Sequence, residues 1–312
     1  MNKKTDFLDT RAGVILAAIG CNLLWGSAAP CIKLGYRLFS IGAADSMSQI
    51  LFAGVRFTLA GLLTVIMGSL LRRRALLPKR GSGGMILLLA LLQTVIQYTF
   101  FYLGLGRAPG FKGSISTPSS VFFAVLLASL VFRQEKLTPR KLLGCVLGFA
   151  GIVIINLNQA GGDKGFRFTG EGFLLLAAFS YACSTVFIRR FSQREDPVVL
   201  SGWQFTLGGS LMIAAALLFG GRLQPQMGAA WLLMGYLGFL SAAAYTLWSL
   251  LLQRHPVSRI MVFSFFNPVF GVFLSALLLG EGKELDLPRC LLALVLVCLG
   301  TLIVNSKGKA ET

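Results

Sequence analysis

A chain of 312 residues that is 55% hydrophobic and only 13% charged has a larger apolar share than ordinary water-soluble domains carry. Its formal net charge of +17 would suit a nucleic-acid partner if the charges shared one face, but they lie in short segments between apolar runs, which argues against that class. The runs are about 18 to 24 residues long, enough to cross roughly 30 Å of hydrocarbon as helices. Stretches such as 85–92 and 291–299 are too continuously apolar for the alternating strands of a barrel.

Hydropathy predicts ten helices, at about 14–36, 48–71, 84–105, 112–132, 140–156, 171–190, 199–219, 229–252, 258–279 and 288–305. Lys3, Lys4 and Arg11 precede the first run. That run exceeds a signal-peptide core and lacks a small-residue cleavage site, so it is expected to remain as helix 1. Helical spacing puts Asn22, Trp25, Gly26, Ala29 and Lys33 on one face of it, and Pro30 is able to break its hydrogen-bond ladder. Trp25 then reads either as a cavity wall or as a packing aromatic, and Lys33 either as a gate or as a cation snorkelling to headgroups. Arg189, near the other end of helix 6, is the approximate counterpart of Lys33.

Arg56 of helix 2 falls on the order of 10 Å inside the membrane surface, which demands a partner. A substrate carboxylate or a gating contact is one reading. A structural bond to helix-end carbonyls or to Asp45 is the preferred one. Helix 3 carries Gln93 and Gln97 four apart, with Tyr98 and Tyr102 on a neighbouring face, and helix 8 repeats the theme with Ser241, Tyr245 and Trp248. Helix 4 opens with Lys112 and runs through Ser114, Ser116, Thr117, Pro118, Ser119 and Ser120, while helix 9 holds Asn267 and Pro268. Polar groups facing lipid would lose hydrogen bonds, so these faces are expected to point inward, as cavity lining or as interhelical glue. Pro118 and Pro268 are expected to free backbone carbonyls.

With both termini on one side, the segments on that side hold 19 Lys and Arg and the opposite loops hold eight, leaving Lys33 and Arg56 within helices. The bias predicts cytoplasmic termini, and the membrane expected is the cell (inner) membrane. It also accounts for most of the +17 through topology and anionic headgroups.

The sequence repeats itself. Arg56, Phe57, Thr58, Leu59, Ala60 and Gly61 recur as Gln204, Phe205, Thr206, Leu207, Gly208 and Gly209 at an offset of 148. Tyr98, Thr99 and Pro109 match Tyr245, Thr246 and Pro256 at 147, Glu135 matches Glu281 at 146, and Pro139, Arg140, Gly151 and Asn156 match Pro288, Arg289, Gly300 and Asn305 at 149. Five spans per unit is an odd number, so the second unit enters the membrane from the opposite side. Residues 1–157 and 158–312 thus read as two inverted five-helix repeats, a plan typical of secondary transporters.

The Leu24, Trp25, Gly26, Ser27 turn, the Arg56, Phe57 pair, Glu135, Asn267, Pro268 and the Leu279, Gly280, Glu281 ending together resemble the drug/metabolite transporter superfamily, EamA type, over roughly residues 13–305. The resemblance implies a ten-helix metabolite exporter with a central cavity and no named substrate.

The expected fold is therefore all-α and integral to the membrane. The expected function is secondary transport of amino acids or amphipathic and aromatic metabolites by alternating access. Trp25, Gln93, Gln97, Tyr98, Tyr102, Tyr245, Trp248 and Asn267 are the candidate cavity residues. Lys33, Arg56, Lys112, Arg189 and Gln204 are candidates for gating or charge pairing, and Pro30, Pro118 and Pro268 for kinks. With no fixed charge expected at the centre, strongly charged solutes are disfavoured. The twelve carboxylates all avoid the middles of spans, which leans towards facilitated or substrate-gradient transport. The partners expected are a small molecule and the bilayer, not nucleic acid, with a homodimer left open. The six cysteines show no metal-ligand spacing, His255 is the sole histidine, and no catalytic or phosphate-cradling motif stands out. No metal, cofactor or catalytic residue is expected, and a membrane enzyme or a channel remains the alternative.

Overall fold

The structure, a computed structural model, describes residues 7–133, 136–156, 166–254, 260, 262–281 and 286–305. Among them all regular structure is helical, in ten principal helices. These are α1 (Arg11–Leu38), α2 (Ser46–Arg72), α3 (Gly83–Arg107), α4 (Gly110–Val131), α5 (Pro139–Asn156), α6 (Phe173–Phe191), α7 (Pro197–Leu218), α8 (Gly228–Arg254), α9 (Phe266–Leu279) and α10 (Leu287–Asn305). Eight of them are long and apolar enough to cross a membrane. α9 is shorter, even with the turn before it. Large apolar side chains such as Leu16, Leu70, Leu218 and Leu277 lie exposed on the outside of the bundle, the surface that hydrocarbon covers in a multi-pass membrane protein.

Local chemistry sets the helix ends. Thr10 caps α1 by accepting from Gly13 N–H at 3.0 Å, Asp45 caps α2 through Ser48 N–H, and Asp196 caps α7 through Val198 N–H with Pro197 in the first turn. Gly280 ends α9 in the left-handed region at φ 69°.

The three prolines expected to kink helices sit in three different settings. α1 runs unbroken through Pro30. Pro268 stands in the first turn of α9, where a missing N–H removes no helical bond. Only Pro118 coincides with a break, between the segments Gly110–Ser116 and Ser119–Leu126 of α4. Widened π turns, invisible in the hydropathy pattern, interrupt α3 at Ala90–Ile96, end α4 at Leu127–Val131 and lead into α6 at Phe168–Gly172.

The packing has a pattern. α2 lies against α7 and α5 against α10; α1 packs on α8 and α9, as α6 packs on α3 and α4. Exchanging each helix with the one five places along leaves that set of neighbours unchanged. The α2/α7 crossing brings backbones together at glycines. A Cβ added to Gly54 would stand 2.9 Å from Gly209 O, and one on Gly209 would stand 2.8 Å from Gly54 O. One on Gly61 would meet Gly202 O at 2.6 Å and also the Thr206 nitrogen. The same reciprocity holds at α5/α10, where a Cβ on Gly144 would lie 2.9 Å from Gly300 O and one on Gly300 2.6 Å from Gly144 O. Only small residues permit such close helix pairs.

Candidate functional site

Inside the bundle a cavity of about 230 Å³ is walled by residues of α1, α2, α3, α4, α6, α8, α9 and α10 together with Ser264 of the turn before α9. It gathers six of the eight candidate cavity residues, Trp25, Gln97, Tyr98, Tyr245, Trp248 and Asn267. The aromatic rings touch one another. Trp25 meets Tyr245 and Trp248 edge-on, with centroids 5.6 and 5.1 Å apart, so the three form a continuous flat-faced wall.

Gln93 and Tyr102 do not line this cavity. Gln93 is turned to the α3/α7 contact, where its side-chain carbonyl accepts from Gln204 Nε2 at 3.1 Å. Tyr102 is fully buried one layer further out; its hydroxyl accepts from Arg56 at 2.7 Å and its carbonyl accepts from the Tyr36 hydroxyl. Helical spacing does not tell a cavity wall from the layer behind it, and both side chains are buried in that layer. Asn22, Ser114, Thr117, Ser120, Tyr181 and Ser241 do line the cavity. Of these, Tyr181 lies in a helix that also carries Ser180, Ser184 and Thr185, a polar cluster that the sequence reading did not single out. Asn22 and Gln97 each carry a side-chain carbonyl oxygen that is buried without a hydrogen-bond partner.

Arg56 overturns two expectations. It lines the cavity, which therefore holds a fixed charge, and Asp45 is not its partner, since that carboxylate caps α2 instead. The guanidinium donates from Nε to Leu237 O at 3.2 Å, from Nη1 to the Tyr102 hydroxyl and from Nη2 to the Ser241 hydroxyl at 3.0 Å, and it lies 4.9 Å from the Phe57 ring centre. Its carbonyl partner sits in mid-helix α8, not at a helix end. Gln204, the residue matching Arg56, is fully buried and bonds to Thr94 at 2.6 Å as well as to Gln93, outside the cavity wall.

Where α1 and α9 end and α4 and α6 begin, two buried or half-buried ion pairs join the helices. Lys33 pairs with Glu281 at 3.2 Å and also donates to Ala108 O; Lys112 pairs with Glu171 at 2.8 Å. Neither cation lines the central cavity. Glu281 accepts the Gly110 and Phe111 N–H groups and the Ser275 hydroxyl, so one carboxylate caps α4 while holding α1. Burial pushes the Glu281 carboxyl up, but the Gly110 and Ser275 bonds together with Lys33 outweigh it and hold the group below its ordinary value. A second, polar cavity of about 270 Å³ lies on this end, lined by Lys33, Arg37, Arg107, Arg167 and both glutamates among others. At the other end Arg72 pairs with Asp196, and Glu195 accepts from the Ser82 hydroxyl and Lys79 N–H. The Arg189 side chain and residues Glu135, His255 and Pro256 lie outside the described residues.

The EamA-like transporter family model matches this chain twice, over residues 12–157 and 168–306. An uncharacterized transporter of Synechocystis is 29% identical over 290 residues, covering 87% of this chain and 83% of that protein. Proteins described as a probable amino-acid metabolite efflux pump, from Salmonella typhimurium and Escherichia coli, are 26% and 25% identical, each covering 83% of this chain and 84% of their own length. A solved crystal structure with 21% sequence identity superposes with a TM-score of 0.64 over 94% of this chain and 96% of its own, which bears on the fold alone. The chain therefore belongs to the EamA-like transporter family: it is a multi-pass membrane transporter of small molecules and not an enzyme.

Proposed function

We propose that this protein is a secondary transporter, working as an exporter, of small amphipathic metabolites such as amino acids or aromatic compounds, by alternating access around the central cavity. The observation that carries the reading is the composition of that cavity. It combines the Trp25, Tyr245 and Trp248 faces with the unpartnered carbonyl oxygens of Asn22 and Gln97, the mix of flat apolar walls and a few polar groups that grips a small solute. At about 230 Å³ it falls below the roughly 300–1,000 Å³ of drug-sized sites, which favours metabolites over bulky drugs. The names of the efflux relatives support the outward direction.

Residues 1–157 and 158–312 act in this reading as the two inverted repeats, with the termini cytoplasmic in a cell (inner) membrane. The reciprocal α2/α7 and α5/α10 glycine contacts support a two-fold relation between the halves, and five spans per half, an odd number, would lay its axis in the membrane plane. A reporter fused after Thr312 and active only outside the membrane is expected to stay silent. Activity there would reverse the orientation. The test of function is radiolabelled amino-acid flux in proteoliposomes, expected to saturate and to show counterflow, with Trp25→Ala, Gln97→Ala and Tyr245→Ala each losing most of it while inserting normally. Wild-type flux in all three variants would overturn this cavity, and flux without saturation or counterflow would favour a channel.

A further inference from the structure

We propose that Arg56 is a carboxylate anchor, so that the central cavity selects solutes that join an anionic carboxylate to an apolar or aromatic body. The inference rests on the transport reading and narrows it from amphipathic metabolites in general to this chemical class.

The first step is an unbalanced charge. Arg56 is the only charged side chain on the cavity wall among the described residues, it is 3% exposed, and none of the described carboxylates pairs with it. Its three hydrogen-bond partners, Leu237 O and the Tyr102 and Ser241 hydroxyls, are all neutral. A buried cation without a counter-ion is costly. The four other interhelical cations with named partners at the bundle ends are satisfied differently: Lys33, Lys112 and Arg72 face carboxylates, and Arg107 faces Leu103 O and the Ser46 hydroxyl nearer the surface.

The second step asks whether the charge is needed to hold the helices together, and the other half of the molecule answers it. Gln204 stands 148 residues on from Arg56, and Ser241 stands 147 on from Thr94. The Arg56 to Ser241 bond at 3.0 Å thus has a counterpart in the Thr94 to Gln204 bond at 2.6 Å. A neutral amide ties its helix to the facing one at the equivalent place, and it does so away from the cavity. The structural task does not require a cation. What differs at Arg56 is that the group reaches the cavity wall, and there the positive charge is surplus to the packing.

The third step is geometric capacity. A guanidinium carries five N–H donors in a planar fork, and three of those of Arg56 are committed. The remaining donors on a cavity-lining group suit a carboxylate, whose oxygens accept charge-assisted bonds. The committed ones fix the fork in place. The Trp25, Tyr245 and Trp248 faces then receive the rest of the solute.

The experiment is equilibrium binding of radiolabelled 3-phenylpropionate and its uncharged amide, 3-phenylpropionamide, to the full-length protein in detergent. Wild type, Arg56→Gln and Arg56→Lys are compared. Losing a charge-assisted bond corresponds to roughly a tenfold or greater preference for the carboxylate in wild type. Arg56→Gln is expected to abolish that preference, and Arg56→Lys to keep part of it. Gln is the residue the other half tolerates, and an unchanged gel-filtration profile checks folding. Equal binding of the two probes to wild type, or a preference that survives Arg56→Gln, would overturn the anchor while leaving the aromatic cavity standing. Binding of neither probe to wild type would overturn the cavity reading and the anchor with it. Were Arg56→Gln unfolded, Arg56→Lys would decide: a full tenfold preference kept by the point-charge ammonium would overturn the planar-fork anchor, and a reduced one would support it.

Discussion

The helix pairs α2/α7 and α5/α10 are joined in a different way from α1/α9 and α4/α6. The first two are backbone joints, with glycines so close that an added methyl would stand 2.6 to 2.9 Å from a carbonyl oxygen of the facing helix. The second two add side-chain ion pairs at one end, Lys33 to Glu281 and Lys112 to Glu171, and help to enclose the cavity, although α1 and α9 also approach closely at Gly26, whose added Cβ would stand 3.0 Å from Asn267 O. Close backbone packing has a single arrangement and breaks if sheared. An ion pair between side chains can open and close without rebuilding either helix. The glycine pairs make α2, α5, α7 and α10 a backbone-joined frame, and the ion pairs are side-chain ties at one end of α1, α4, α6 and α9.

The largest break in that comparison comes from Gly61→Leu or Gly209→Leu, which would drive a side chain into the backbone of the facing helix. Overpacking costs about 1–3 kcal/mol where neighbouring side chains yield, and a backbone wall yields less. The expected outcome is loss of the monodisperse peak in size-exclusion chromatography, whereas Gly235→Leu, with nothing within 4 Å of its added Cβ, keeps it.

The next effect concerns the ion-pair side. Lys112→Met strands Glu171, whose side chain is 4% exposed, and breaking a buried pair this way costs about 3–5 kcal/mol. The melting temperature in detergent is expected to fall clearly, and the double variant Lys112→Met, Glu171→Leu to recover much of the loss, since apolar replacement of both partners is commonly neutral or stabilising. A double variant as unstable as the single one would mean that the pair is part of the frame.

Glu281 sharpens the distinction through pH. Its carboxyl is held below its ordinary value of 4.5, so its contribution is complete above that pH and is lost as the pH falls through the depressed value. The melting temperature is expected to be level from neutral pH down to the ordinary value and to decline below it. Glu281→Gln is expected to remove this group's share of the acid decline. An identical acid profile in the variant would show that the carboxylate does not fasten that end.

The smallest effect is a gain. Gly235→Ala in α8 adds a methyl to open space and removes glycine's freedom in the unfolded chain, expected to raise stability by about 0.4–1 kcal/mol. A loss measured by thermal melting would place Gly235 in a tighter joint than its surroundings indicate.

Much of the architecture was legible in the sequence because lipid imposes a coarse rule on every residue of a span. The ten apolar runs, the offsets of 146 to 149 and the inward faces of helices 1, 3 and 8 follow from hydropathy and helical period alone. The glycine joints were half legible: Gly61 and Gly209 appeared as matched positions in the repeat, without a sign that each would meet the other's helix. The fate of the polar groups was not legible. Gln93 and Gln97 are one helical turn apart, yet one is sealed against Gln204 and the other lines the cavity.

By itself, then, the amino-acid order determined what must avoid lipid and how often the pattern returns, since burial and helical period are properties of a segment and its solvent. Whether Arg56 faced a carboxylate, a carbonyl or an open cavity was decided only when α2, α3 and α8 came together. Its partners Tyr102, Leu237 and Ser241 lie 46, 181 and 185 residues away along the chain, and the pairing of a buried charge depends on which helices meet around it.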